Sequence, residues 1–75
     1  MENKIIKILK NTKPNINFSK NKKKLIKESI LDSFDIVTII SEIEKEFNIS
    51  IKANDIAAKN FDSISKIIKL IKKYN

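Results

Sequence analysis

Few side chains in this sequence are equipped for chemistry. Histidine and cysteine are both absent. The commonest general base, the commonest zinc ligand and any thiolate nucleophile are therefore missing. Hydroxyls and carboxylates remain, and one group of them stands out: Ile30-Leu31-Asp32-Ser33-Phe34-Asp35-Ile36-Val37. Here a serine opens an amphipathic helical pattern directly after an aspartate. Its hydroxyl is predicted to lie near the positive end of a helix macrodipole, where unpaired backbone N–H groups gather. Such a place suits a phosphate diester. No His or Cys exists to activate Ser33 as an enzyme nucleophile. It reads as an acceptor that another enzyme modifies, so the chain is expected not to be an enzyme, and any thiol it uses is brought in. The plain alternative is a helix cap with no modification, which is what Asp-Ser before a helix ordinarily means. A second such step, Asp62-Ser63-Ile64, is read as capping because its helix is basic.

The elements that must position these groups follow from hydrophobic spacing. A first helix is predicted from about Glu2 to Lys10, with Ile5, Ile8 and Leu9 on one face and Ile6 beside them. Pro14 ends it. Residues 15–31 read as a long connection, anchored by Ile16, Phe18, Leu25, Ile26, Ile30 and Leu31, with a helical turn near Leu25–Ser29. A second helix is predicted over Ser33–Asn48. Its stripe is Ile36, Ile40, Ile43 and Phe47, widened by Val37 and Ile39. Asp32 and Ser33 supply capping oxygens, and Asn48 is the left-handed end in a chain with no glycine. Asn54 or Asp55 starts a brief third helix through Ala58. Asp62 caps a fourth from about Ser63 to Tyr74, with Ile64, Ile67, Ile68 and Ile71 inward. The expected fold is all-α: a small four-helix bundle, three main helices plus one short one, with a long first loop, forming one domain over residues 1–75.

Charge is segregated along the chain. All 16 basic residues are lysine. Residues 1–27 carry a net +8, residues 28–62 a net −5 and residues 63–75 a net +4, which together give the overall +7. Lysine, isoleucine and asparagine share A/T-rich codons, so a low-GC genome is the bland explanation of the excess. That explanation predicts lysine everywhere, and the acidic middle resists it. No apolar run approaches the roughly 18 residues that span a bilayer. The opening Met-Glu-Asn-Lys lacks a signal-peptide core, so a cytoplasmic, non-inserted monomer is expected.

The segment around Ser33 resembles the acyl carrier protein family, including peptidyl and D-alanyl carriers. In that family an Asp-Ser-Leu motif opens the second helix of a four-helix bundle. Here the triplet reads Asp32-Ser33-Phe34, followed by Asp35-Ile36-Val37. The resemblance continues through Glu42-Ile43-Glu44-Lys45-Glu46-Phe47-Asn48-Ile49-Ser50-Ile51 and Asn60-Phe61-Asp62-Ser63-Ile64, covering roughly residues 25–73. Asp-Ser alone says little; the combination is fairly specific. It implies that Ser33 receives a 4'-phosphopantetheine arm from coenzyme A through a phosphopantetheinyl transferase, which Asp32 assists. It implies acyl or aminoacyl cargo held as a thioester and presented to activating ligases, acyltransferases or synthases. Phe34 and Val37 are the apolar spot beside the arm, and Asp35, Glu42, Glu44 and Glu46 attract basic partner surfaces. Fatty acyl, D-alanyl, aminoacyl and polyketide cargo all stay open.

The sequence also departs from the family. Ile30-Leu31 replaces a small residue, Phe34 stands for Leu, and Thr38 and Lys45 occupy places often acidic. With the basic overall charge, these changes point away from a fatty-acid synthase partner and toward a specialised stand-alone carrier. Two rivals remain: a small basic nucleic-acid-binding module, and a helical partner-binding module without modification. The first is weakened by the absence of arginine, the core spacing of the aromatics and the acidic central helix.

Overall fold

The computed structural model describes residues 1–74. Three α-helices form in chain order: α1 over Glu2–Thr12, α2 over Ser33–Phe47 and α3 over Ile64–Lys72. No strand occurs among the described residues. α1 packs against both α2 and α3.

α1 buries Ile5, Ile8 and Leu9, the face that its periodicity marks. It runs two residues beyond the predicted end. Proline disfavours the helical conformation at the residue before it, and Lys13 is accordingly the first to leave it, at φ −131° and ψ 78°. The Lys13 N–H still donates to the Leu9 carbonyl at 2.8 Å.

The connection from Lys13 to Asp32 is long, yet it is folded onto the bundle. Phe18, Leu25 and Leu31 are buried within it. The Cα radius of gyration is 11.1 Å, close to the ~11 Å expected of a compact chain of this length. Backbone bonds stitch the loop to the entry of α3: Leu25 N–H to the Asp62 carbonyl at 2.8 Å, and Ile64 N–H to the Lys22 carbonyl at 2.9 Å. The turn predicted near Leu25–Ser29 forms, with Lys24 and Ser29 in the left-handed region at φ 55° and 57°. Each such non-glycine residue costs on the order of 1–2 kcal/mol, which the burial of Leu25 and Leu31 offsets.

α2 ends at Phe47, with Asn48 left-handed at φ 53° and ψ 51°. Asparagine tolerates that conformation because its short polar side chain bonds locally. The buried stripe of α2 is Asp35, Ile39, Ile40 and Ile43. Ile36 and Phe47 are half-buried, and Val37 faces solvent.

The brief helix predicted from Asn54 or Asp55 through Ala58 is not one continuous helix. Two 3-10 turns stand there instead, Ala53–Asp55 and Ala58–Phe61. Phe61 is the only buried residue in the pair. With no apolar stripe to bury, nothing offsets the cost of nucleating an α-helix. α3 is shorter than predicted. Its last N–H, from Lys73, is shared among the carbonyls of Lys69, Leu70 and Ile71, and Tyr74 turns toward Asp55.

Candidate functional site

The start of α2 is built by a reciprocal capping box. The Asp35 N–H donates to Asp32 Oδ1 at 2.9 Å, and the Asp32 N–H donates to Asp35 Oδ2 at 3.0 Å. The Asp32 carboxyl lies below its usual 3.8, chiefly because it accepts the Asp35 N–H. Asp32 alone is the cap. Ser33, also expected to contribute a capping oxygen, is instead the first helical residue. Its hydroxyl is exposed and has no hydrogen-bond partner among the described residues. A helix leaves its first N–H groups without carbonyl partners; here the Asp32 carboxylate takes up that of Asp35, and Ser33 Oγ stands at the positive end of the macrodipole.

The other predicted residues divide into two sets. Phe34 is 85% exposed and Val37 66% exposed. They lie three residues apart, on the same side of the helix as each other, and Val37 is four residues from Ser33. The structure therefore brings Ser33, Phe34 and Val37 together on one outward face. Asp35 points the other way. It is only 9% exposed, and its Oδ2 also meets Lys13 Nζ at 3.3 Å. A buried carboxylate without a cation would cost several kcal/mol. Lys13 compensates it, tying the end of α1 to the cap of α2.

The three glutamates also differ. Glu42 is half-buried. Glu44 Oε2 accepts the Ile51 N–H at 2.9 Å and so fixes the link after α2. Glu46 is exposed, 3.8 Å from Lys4 Nζ. Glu42 begins nine residues beyond Ser33, roughly 14 Å along the axis at 1.5 Å per residue.

Three polar contacts had no local signal in the sequence. Lys13–Asp35 is one. Asp62, predicted to cap α3, instead accepts the N–H groups of Ile26 and Lys27 through Oδ1, at 2.9 and 3.1 Å. Its carboxyl is held below the usual value, first by the Lys27 N–H and then by that of Ile26. The cap of α3 is Ser63, whose Oγ accepts the Lys66 N–H at 3.1 Å. The third is a knot at the C-terminal end. Asp55 accepts from Lys73 Nζ at 2.9 Å and from the Tyr74 hydroxyl, and that hydroxyl accepts the Lys52 N–H at 2.9 Å. The Asp55 carboxyl is lowered, mainly by Lys73, while Lys73 and Tyr74 are raised, mainly by Asp55.

The two Asp-Ser steps thus look alike in sequence and differ in space. Ser63 Oγ is occupied as a cap, and Ser33 Oγ is free. The Ser33 surroundings fit a phosphate-linked arm: an exposed hydroxyl at the positive end of a helix, and apolar surface from Phe34 and Val37. No group of three or more acidic, His or Cys side chains able to hold a metal ion occurs among the described residues. No helix among them is long and apolar enough to cross a membrane.

Comparison with known proteins agrees with this chemistry. Residues 23–71 match the family described as "Phosphopantetheine attachment site". The chain is also 43% identical over 54 residues to an acyl carrier protein of Buchnera aphidicola subsp. Baizongia pistaciae (strain Bp), covering 72% of this chain and 67% of that protein. No solved structure matches significantly. The chain belongs to the acyl carrier protein family, the carriers that hold acyl groups on a covalent 4'-phosphopantetheine. It is a carrier and not an enzyme, and its function is met through transferases and synthases that act on the attached group.

Proposed function

We propose that Ser33 is the hydroxyl that carries the 4'-phosphopantetheine arm. The observation that supports this most is the free, exposed Oγ of Ser33 at the head of α2, within the family match. The bound arm supplies a thiol that holds an acyl group as a thioester. The chain's own residues do the rest. Asp32 caps the helix, stays ionised and offers its outer carboxylate surface to the modifying phosphopantetheinyl transferase. Asp35, neutralised by Lys13, keeps that cap rigid, so that the hydroxyl is presented in one orientation. Phe34 and Val37 form the apolar contact for partner enzymes, the acyl- or aminoacyl-activating ligase and the acyltransferase or synthase. Glu42 and Glu46 steer basic partner surfaces, an effect that salt weakens. Asp35 and Glu44, expected to share that steering, serve it indirectly: one holds the cap and the other the link to Ile51.

Residues 1–75 form one carrier domain in this reading, and it works as a cytoplasmic monomer. The paired 3-10 turns over 53–61 take the place of the short third helix of a four-helix carrier.

The test is the intact mass of the chain after incubation with coenzyme A and a broad-specificity phosphopantetheinyl transferase. One added arm, mapped to Ser33 by fragmentation, is the expected result. A wild-type chain left unmodified by several transferases, or an arm on another residue, overturns the assignment.

A further inference from the structure

The acidic start of α2 has a counterpart in a lysine-rich face around α3. Three shallow grooves adjoin there. The first is lined by Lys22, Lys23, Lys24 and Lys66, the second by Lys27, Lys59 and Lys66, and the third by Lys59, Lys66, Lys69 and Lys73. Because Lys66 borders all three, the face is continuous. Six of these lysines, residues 23, 24, 27, 59, 66 and 69, are exposed and lack a salt-bridge partner among the described residues.

Three carboxylates line these grooves, and each is already engaged; Glu28 adjoins them beside Lys22, Lys23 and Lys24. Glu2 meets Lys22 at 3.3 Å. Asp55 holds Lys73 and Tyr74. Asp62 is turned onto the backbone N–H groups of Ile26 and Lys27. α3 itself contains no acidic residue. Eight lysines thus meet at most four carboxylates, and the fold leaves a surplus of positive charge on this face.

We propose that this face adsorbs the carrier, without insertion, onto an anionic phospholipid surface. The character of the face selects that occupant. A protein partner needs an apolar or aromatic anchor at the centre of its contact. The exposed large apolar residues are Met1, Phe34, Val37 and Ile56, and none of them lines these grooves. Single-stranded nucleic acid needs stacking aromatics, but Phe18 and Phe61 are buried and the Tyr74 hydroxyl is tied to Asp55. Lysine ammoniums are hydrated point charges, suited to diffuse attraction and not to forked recognition of a phosphate or a guanine edge. A dense, flat array of negative headgroups asks for charge and no more. Adsorption by this face leaves the Ser33 end of α2 uninvolved, so the proposal does not depend on which residue carries the arm.

The test uses the unmodified full chain in vesicle sedimentation at low salt. One set of vesicles is phosphatidylcholine alone, and in the other about a third of the lipid is phosphatidylserine. Binding is expected to the anionic vesicles only, and to fall as salt rises. A Lys59→Gln, Lys66→Gln, Lys69→Gln chain is expected to bind about 100-fold more weakly, at about fivefold per lysine. A Lys7→Gln, Lys10→Gln, Lys45→Gln chain has the same net charge and is the control. Equal weakening in the control overturns the proposal, because net charge and not this face would then be responsible. Equal binding to both kinds of vesicle overturns it as well. So does tighter binding to duplex DNA than to anionic vesicles in parallel titrations at matched phosphate concentration.

Discussion

The two Asp-Ser steps allow a crossed test of the site. Ser63 caps α3, its Oγ accepting the Lys66 N–H at 3.1 Å. Ser63→Ala leaves that donor without a partner and costs about 1 kcal/mol. Unfolding entropy is about 2.1 cal/mol/K per residue, or about 0.16 kcal/mol/K for a chain of this length, so the melting temperature should fall by about 6 °C. Ser33 bears no such duty, because Asp32 caps α2. Ser33→Ala should change stability by no more than about 0.5 kcal/mol, or about 3 °C. Modification runs the opposite way: Ser63→Ala should gain the arm as readily as wild type, and Ser33→Ala should gain none. Thermal melting by circular dichroism and intact mass after transferase treatment, on the same three proteins, give all six readings. An arm on Ser33→Ala would refute the site. A melting loss in Ser33→Ala as large as in Ser63→Ala would refute the division of labour between the two serines.

Three further outcomes are expected. Lys13→Met should destabilise the chain by about 1–2 kcal/mol, between the values of an exposed and a fully buried pair, since it strands the Asp35 carboxylate; urea unfolding measures this, and no loss would mean that Asp35 is solvated well enough alone. Stability should depend on pH at both extremes. The folded carboxyls of Asp32, Asp55 and Asp62 lie below their ordinary 3.8, so their contribution is present above that pH and is lost as pH falls below it. Lys73 and Tyr74 lie above their ordinary 10.5 and 10.0, so theirs is present below about pH 10 and lost as pH rises beyond it. Melting temperatures across the pH range check both limbs, and Asp62→Asn should flatten the acid one; an unchanged acid limb in that variant would contradict the role given to Asp62. Phe34→Ala should leave folding intact, because Phe34 is 85% exposed. It should slow transfer to or from a partner enzyme about tenfold, and unchanged kinetics with every partner tried would remove Phe34 from the contact.

The proposed carrier site was legible in the sequence because its determinants are local. A cap, a first-turn acid and a 3.6-residue apolar stripe lie within one short segment and place Ser33 at the head of α2. Asn48 is legible for the same reason, as the residue best able to be left-handed where no glycine is available. α1 and α3 could be read from their stripes, though their ends moved by a residue or two. The segment over 53–61 misled, because plausible capping residues there lack the apolar face that would make an α-helix worth forming.

By itself, the sequence determined the helical faces, the helix-opening serine and the absence of any His- or Cys-based chemistry, because spacing along one helix fixes which side chains share a surface. Only the tertiary structure decided where Asp35 and Asp62 spend their charge. Asp62 finds its N–H partners 35 and 36 residues away, and Lys13 reaches Asp35 across a long loop. Contacts of that kind depend on how α1, the loop and the entry of α3 pack together, which no local pattern encodes.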